Sequence, residues 1–440
     1  MLYAAIVFNV GVIYWCIRVR SRATLIYLAA GTVVFTYQLF WALGYVPGAE
    51  ISDSYWSLKL EPESLVRGYA ALLACVSASA LLGSVLTWKY PAPFTKPQST
   101  EDLAIASEIL SWLGLSGLGY LRFRGADSLL DDWGRNWNVV PFAGLASYVA
   151  NLLCTSSVYW ALCIRRVTMA PRFLAPLAVG CVLQSTSGTA GFAVVQALTF
   201  GLAYLLRDPQ SNSVFFRRAV LIGACCVAMI AGYRYMRGVG AARAGISTDY
   251  ATLKLANSFG EIVPFTSILQ EAQNGGTDLK YGRTYLCIVA GLTPSFIGGQ
   301  WKQDMLIMNR SEVIIGKEYV GIDVLIPATV YGEGVINFGL WGLLIPIALQ
   351  GVILWCCERQ WGYGLWTRIV VIFFLSCALT GLRDTYFSIL SSMSTYAVLM
   401  GITYQLVSIS RGVSKALYSF IVVAILCVIF IAAWFYLRRI

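Results

Sequence analysis

Polar positions are rare along this chain, and they fall in clusters. Apolar runs of about 17 to 25 residues recur between the clusters, each about long enough to cross a bilayer as a helix, although the sixth span is short. Twelve spans are predicted. The first eight cover about Leu2 to Ile17, Ala23 to Tyr45, Leu65 to Trp88, Leu103 to Leu121, Val139 to Ile164, Phe173 to Leu183, Gly191 to Leu206 and Ala219 to Gly232. The last four cover Ile336 to Cys357, Leu365 to Leu382, Tyr386 to Ile409 and Ala416 to Leu437. The short alternating segments of a membrane barrel are absent. The expected fold is therefore an all-α polytopic membrane protein. Three regions follow: helices one to eight over residues 1–232, one large polar loop over 233–335, and helices nine to twelve over 336–440.

The loop is the exception to the pattern. It holds Arg234, Arg237, Arg243, Lys254, Lys280, Arg283, Lys302, Arg310 and Lys317, interleaved with Glu261, Glu271, Asp278, Asp304, Glu312, Glu318, Asp323 and Glu333. Within it, Pro264 suits the first turn of a short helix ended by Asn274, Gly275 and Gly276. Ile262, Val263, Phe265, Ile268 and Leu269 would set that helix on the bilayer surface or against the bundle. The apolar run Cys287 to Leu292 is too short to span. The glycine-rich stretch Pro327 to Gly334 is read as a lead into the ninth span.

Composition agrees with the membrane reading: 58% of the 440 residues are hydrophobic and mean hydropathy is +0.69. Only 12% are charged, which makes the loop's share of charge notable. The net charge of +10 fits cytoplasmic loops enriched in Lys and Arg, and no soluble basic domain for nucleic acid is present. Arg18, Arg20 and Arg22 follow the first span and no cation precedes it, which places the N-terminus outside and argues against a cleaved leader. The large loop then faces outward. The twelve Cys lie almost entirely in spans, as small apolar residues, with no disulfide framework in the loop. There is no His, which excludes His bases, His metal ligands and Ser-His or Cys-His nucleophile systems.

An outward cluster of cations without an acidic excess points to an anionic ligand, and Arg suits phosphate because its planar fork reaches two oxygens. Taken singly, each charge also fits an ordinary solvated loop. Arg234 and Arg383 stand at span ends, where charge placement is costly. Two acidic pairs, Glu61 with Glu63 and Asp131 with Asp132, are the residues that would hold a hard divalent ion if one were needed; no metal is assigned.

Three strings carry a resemblance. Tyr281-Gly282-Arg283-Thr284-Tyr285-Leu286, the segment Leu292-Thr293-Pro294 to Trp301-Lys302-Gln303, and Val330-Tyr331-Gly332-Glu333-Gly334 to Asn337-Phe338-Gly339 are similar to segments of the bacterial oligosaccharide repeat-unit polymerases, the O-antigen polymerase (Wzy) type. The layout resembles theirs too: an outward N-terminus, about a dozen spans, and one large outer loop in the second half. The resemblance covers most of the chain in layout and some thirty residues in motif. It departs where relatives carry an Arg at an outer turn between middle spans, since this turn reads Ser187-Gly188-Thr189-Ala190. Related O-antigen ligases use a His in the outer loop, and this chain has none.

The resemblance implies a GT-C-like glycosyltransferase of the bacterial inner membrane, acting on its periplasmic side. Its donor and acceptor would be undecaprenyl-diphosphate-linked glycans. Membrane lipid and a chain-length regulator are the other implied partners, and no cofactor is implied. A diphosphate leaving group needs cations, and an acceptor hydroxyl is helped by a carboxylate base. The base candidates are Glu333 first, then Asp323 and Glu261. The substrate-binding candidates are Arg283, Lys302, Arg310, Arg237, Arg234 and Arg383, with Tyr281 and Tyr331 beside them. The rival classes are an O-antigen ligase and a flippase or other transporter of lipid-linked oligosaccharide. A transporter would line its spans with charge, for which Glu108 and Arg67 are the candidates.

Overall fold

The computed structural model describes residues 1–45, 60–90, 101–123, 146, 149–150, 152–163, 179–180, 190–206, 214–225, 262–275, 279–285, 300–301, 314–315, 326–327, 329–360 and 365–382. The architecture among them is helical apart from one two-residue ladder. Three helical stretches are long and apolar enough to cross a membrane: Arg22–Ala42, Pro62–Lys89 and Thr329–Arg359. These mark a membrane protein. Expected spans eleven and twelve, most of span six, the turn at Ser187 and the start of span five lie outside the described residues.

The chain divides into two units. The first unit comprises Met1–Lys96 and Asp249–Ser394. Its helices are α1 (Leu2–Arg18), α2 (Arg22–Ala42), α3 (Pro62–Lys89), α7 (Ile262–Gln273), α8 (Thr329–Phe338), α9 (Leu344–Gln360) and α10 (Leu365–Gly381). The second holds α4 (Glu101–Phe123), α5 (Leu152–Cys163) and α6 (Ala190–Leu206). Most of these bounds fall within a few residues of the predicted spans. In the second unit Leu118, Ala150 and Leu153 form a core, and Gln196 on α6 donates from Nε2 to Ser157 Oγ on α5 at 2.9 Å.

Helix α3 is the hub of the first unit and packs against α1, α2, α7 and α9. Its sequence permits this. Ala, Ser and Gly recur on every side, so neighbouring backbones can approach closely, and its buried residues run from Ser64 to Ser84. Small hydroxyls tie the hub to its neighbours. Asn9 on α1 donates to Thr32 on α2 at 3.1 Å and to Ser77 on α3 at 3.0 Å. Tyr69 on α3 meets Thr36 on α2 at 2.9 Å. In a medium without water, such groups must find partners inside the bundle.

Helix α7 lies against the bundle, the second of the two places its apolar residues allowed. Residues Ile262 to Leu269 are buried, Thr266 abuts Gly68 of α3, and Gln270 donates to Ser64 at 2.5 Å. Ile268 joins Val335 and Ile336 of α8 in one apolar cluster, with Leu343 beside it. The ladder pairs β1 (Ile314–Ile315) antiparallel with β2 (Ile326–Pro327), Ile314 opposite Pro327. A two-residue ladder leaves no periodicity for a sequence to show.

The ninth span departs from expectation. Its helical stretch begins at Thr329, seven residues before Ile336, and it is not straight. A Cβ on Gly334 would strike the backbone of Gly342 and approach Pro346 Cδ at 3.1 Å. In a continuous helix, residues eight and twelve apart stand about 12 and 18 Å apart along the axis. The chain therefore folds back. Helix α8 ends at Phe338, Gly339 takes φ +64°, and a 3₁₀ turn (Gly339–Leu343) leads into α9. Gly339 is required there because a side chain is strained in the left-handed region. Helix α8 is thus a half-helix folded back beside the start of α9.

The α3–α9 contact yields a test. A Cβ on Gly83 would lie 2.9 Å from Leu354 Cβ and 3.1 Å from Gly351 O, whereas nothing lies within 4 Å of one on Gly11. Gly83→Leu is expected to lower stability by about 1–3 kcal/mol, and Gly11→Leu to leave it nearly unchanged, as read by thermal unfolding of the purified protein in detergent.

Candidate functional site

Helix α8 carries two of the candidate residues, both in its N-terminal half. Tyr331 is near the N-terminal end, fully buried between α2 and α3. Its hydroxyl lies 2.8 Å from that of Tyr27 and 3.0 Å from Ser79 Oγ. Ser79 donates its one proton to Cys75 O at 2.9 Å. It must then accept from Tyr331, and Tyr331 must accept from Tyr27. The order Tyr27 to Tyr331 to Ser79 to the Cys75 carbonyl is a chain of donors in which each bond polarises the next. Tyr331 is thus a structural anchor in the bundle interior, where sequence reasoning set it beside the ligand.

Glu333 sits two residues further along α8 and is fully buried. Thr284 Oγ1 donates to its Oε1 at 2.9 Å. Asn337, one further turn along, donates from Nδ2 to Thr284 Oγ1 at 2.6 Å and to the Glu333 carbonyl at 2.8 Å. Asn337 Oδ1 accepts from Gly282 N at 2.9 Å. Thr284 is only 1% exposed and Asn337 is fully buried, so the ring of bonds is closed off from solvent.

A short strap, Lys280 to Tyr285, brings Thr284 to this ring. Its backbone does a second job. Lys280 N donates to Ile336 O at 3.1 Å and Tyr281 N to Asn337 O at 2.9 Å. These carbonyls end α8 and would otherwise lack helical partners. Tyr281 (φ +47°) and Gly282 (φ +84°) take the left-handed backbone that turns both amides toward the helix end. The cations of Lys280 and Arg283 stand at the helix's negative pole, a placement its dipole favours. Arg283 is exposed, and Tyr281 is 77% exposed. The Tyr285 ring lies 6.4 Å from that of Phe338, and burial with the Glu333 charge pushes its phenol well above the ordinary tyrosine value. Tyr285 is therefore neutral across the physiological range.

Four candidates are thus located. Arg283 and Tyr281 lie on the strap at the C-terminal end of α8, Glu333 is joined to that strap through Thr284, and Tyr331, two residues before Glu333, is bonded to α2 and α3 instead. Asp323, Glu261, Lys302, Arg310, Arg237, Arg234 and Arg383 lie outside the described residues. Sequence reasoning missed Thr284 and Asn337. The signal was present in the strings quoted for the resemblance, but a lone Thr and Asn carry no charge to single them out. Of the acidic pairs, Glu63 pairs with Arg67 at 3.6 Å on an exposed face of α3, which also accounts for Arg67 without a span-lining role. Asp131, Asp132 and the Glu108 side chain lie outside the described residues. No three His, Cys, Asp or Glu residues cluster as metal ligands among the described residues.

The donor chain fixes an order of mutational cost. Tyr331→Phe removes the acceptor of Tyr27 and the donor to Ser79 together, and should cost about 1–3 kcal/mol. Tyr27→Phe leaves every proton donated and should cost less. Thermal unfolding of both variants and the double variant checks this, with the double variant close to Tyr331→Phe alone.

No family model matches the chain, and no curated protein or solved structure does either.

Proposed function

We propose that the chain is a membrane glycosyltransferase that joins polyprenyl-diphosphate-linked oligosaccharide repeats into a polysaccharide at the periplasmic face of the inner membrane. One observation carries this reading: a buried carboxylate on the folded-back half-helix α8 is bonded, through Thr284 and Asn337, to a strap that carries an exposed arginine. Such irregular backbone is tolerated at membrane depth where protein or a cavity surrounds it. The likeness of the Tyr281 and Val330 strings to repeat-unit polymerases supports the reading, and the absence of His disfavours a ligase.

In the reaction, an acceptor hydroxyl of one repeat attacks the anomeric carbon of the donor glycan. The new C–O bond forms as the bond to the diphosphate breaks, and the diphosphate leaves with the electron pair. Arg283 stabilises that charge, for which it needs no proton transfer. Glu333 is the first candidate to take the hydroxyl proton, with Asp323 and Glu261 as the others. The partners are the lipid-linked donor and acceptor; no nucleic acid is involved.

A transporter of lipid-linked oligosaccharide is the second reading. The folded-back half-helix favours it, because broken helices with a buried ionisable group also build transport sites.

Cells lacking the chain decide between the two. Restoring the wild-type chain should give a ladder of surface polysaccharide lengths, and Arg283→Ala or Glu333→Ala at matched expression should give single capped repeats. A ladder from both variants removes these residues from the site. If the deletion leaves no surface repeat and lipid-linked repeats accumulate, the polymerase reading fails and the transporter or ligase reading replaces it.

A further inference from the structure

The closed ring around Glu333 does something that neither the carboxylate nor the strap explains alone. Every hydrogen-bonding group of the Asn337 side chain is used, and its targets lie on three places: the Glu333 carbonyl, the Thr284 hydroxyl and the Gly282 amide. The Thr284 hydroxyl is likewise used in both senses, accepting from Asn337 and donating to Glu333. Arg283 sits between Gly282 and Thr284, both of which are pinned. The backbone on either side of the guanidinium is therefore fixed to the same helix turn that carries the carboxylate.

We infer that Thr284 and Asn337 are positioning residues that lock the Glu333 carboxylate and the Arg283-bearing strap into one unit. The inference rests on the polymerase reading for what the two groups do; the lock itself rests on the geometry. Glu333 presents its carboxylate in a fixed orientation because Thr284 holds Oε1. Arg283 stands at a fixed height above α8 because the amides of residues 280, 281 and 282 are spent on Ile336 O, Asn337 O and Asn337 Oδ1. The carboxylate and the backbone of the cation-bearing strap are tied into one unit, so they keep their relative placement as substrate binds.

Thr284→Val keeps the shape and removes the hydroxyl, while Thr284→Ser keeps the hydroxyl. Two readouts are needed. The first is strap opening, read by mass spectrometry as the deuterium-labelling rate of the hydrogen-bonded amides of residues 280 to 282 in the full-length protein. Thr284→Val should raise this rate about tenfold, and Thr284→Ser should leave it within about twofold. Glu333→Gln, which retains an acceptor for Thr284, should also leave it unchanged.

The second is the steady-state kinetics of transfer, using lipid-linked repeats isolated from cells lacking the chain. Thr284→Val should lower kcat and raise KM together, each by about tenfold, because base and cation are both displaced. Thr284→Ser should restore both. Equal labelling of the Val and Ser variants overturns the lock. Changed labelling with wild-type kcat and KM overturns the positioning role. Changed labelling with no transfer by the wild-type protein leaves the lock standing and overturns the polymerase reading instead.

Discussion

A helix that ends inside a membrane bundle leaves its last carbonyls without helical partners, and no water is at hand to supply them. Two amides of the Lys280–Tyr285 strap, those of Lys280 and Tyr281, meet that debt at Ile336 O and Asn337 O, and a third, Gly282 N, donates to the Asn337 side chain. The left-handed conformations at Tyr281 and Gly282 aim those amides, and the cations beside them suit the helix's negative pole. The basic strap and the carboxylate-bearing helix are consequently parts of one motif. Neither could adopt its form without the other.

The same rule of internal satisfaction shapes the rest of the first unit. Helix α3 offers small residues where backbones must come close and hydroxyls where polar groups need partners. Gly83 admits α9, whose own Gly351 makes room for Leu82, Gly68 admits α7, and Ser77 and Ser79 answer Asn9 and Tyr331. The donor chain from Tyr27 to Cys75 O fixes the buried end of α8, while the strap fixes the other. Between these anchors the Gly334–Gly342 contact sets the fold-back tightly against α9. A half-helix held at both ends is a rigid platform, and the proposed chemistry asks for one.

Burial alters how Glu333 is understood. In sequence it stands in a glycine-rich lead into a span, as the first candidate for the base. In the structure it is enclosed and bonded to Thr284. The glycines on either side serve approach of backbone to backbone rather than of ligand to backbone, at least at Gly334. The exposed chemistry of this motif is Arg283 and Tyr281, and the buried chemistry is Glu333; the strap joins the two.

The sequence by itself determined where the chain is apolar. It therefore located α1, α2, α3, α6 and α10 to within a few residues, and placed a short helix at Pro264, because runs of apolar residues and helix-stop signals are local properties. It also picked out Glu333, Arg283 and Tyr281 as residues of interest, since charge and glycine context are visible in one dimension. Only the tertiary structure decided that Val330 to Gly334 is helical, that the chain reverses at Gly339, and that Tyr331 is an anchor. Gly332 and Gly334 weaken helix propensity, and the packing that overrides it comes from α2, α3 and α9. Thr284 and Asn337 owe their importance to partners 49 and 53 residues away along the chain. No local pattern encodes such bonds, because they form only once the half-helix and the strap have been folded against each other.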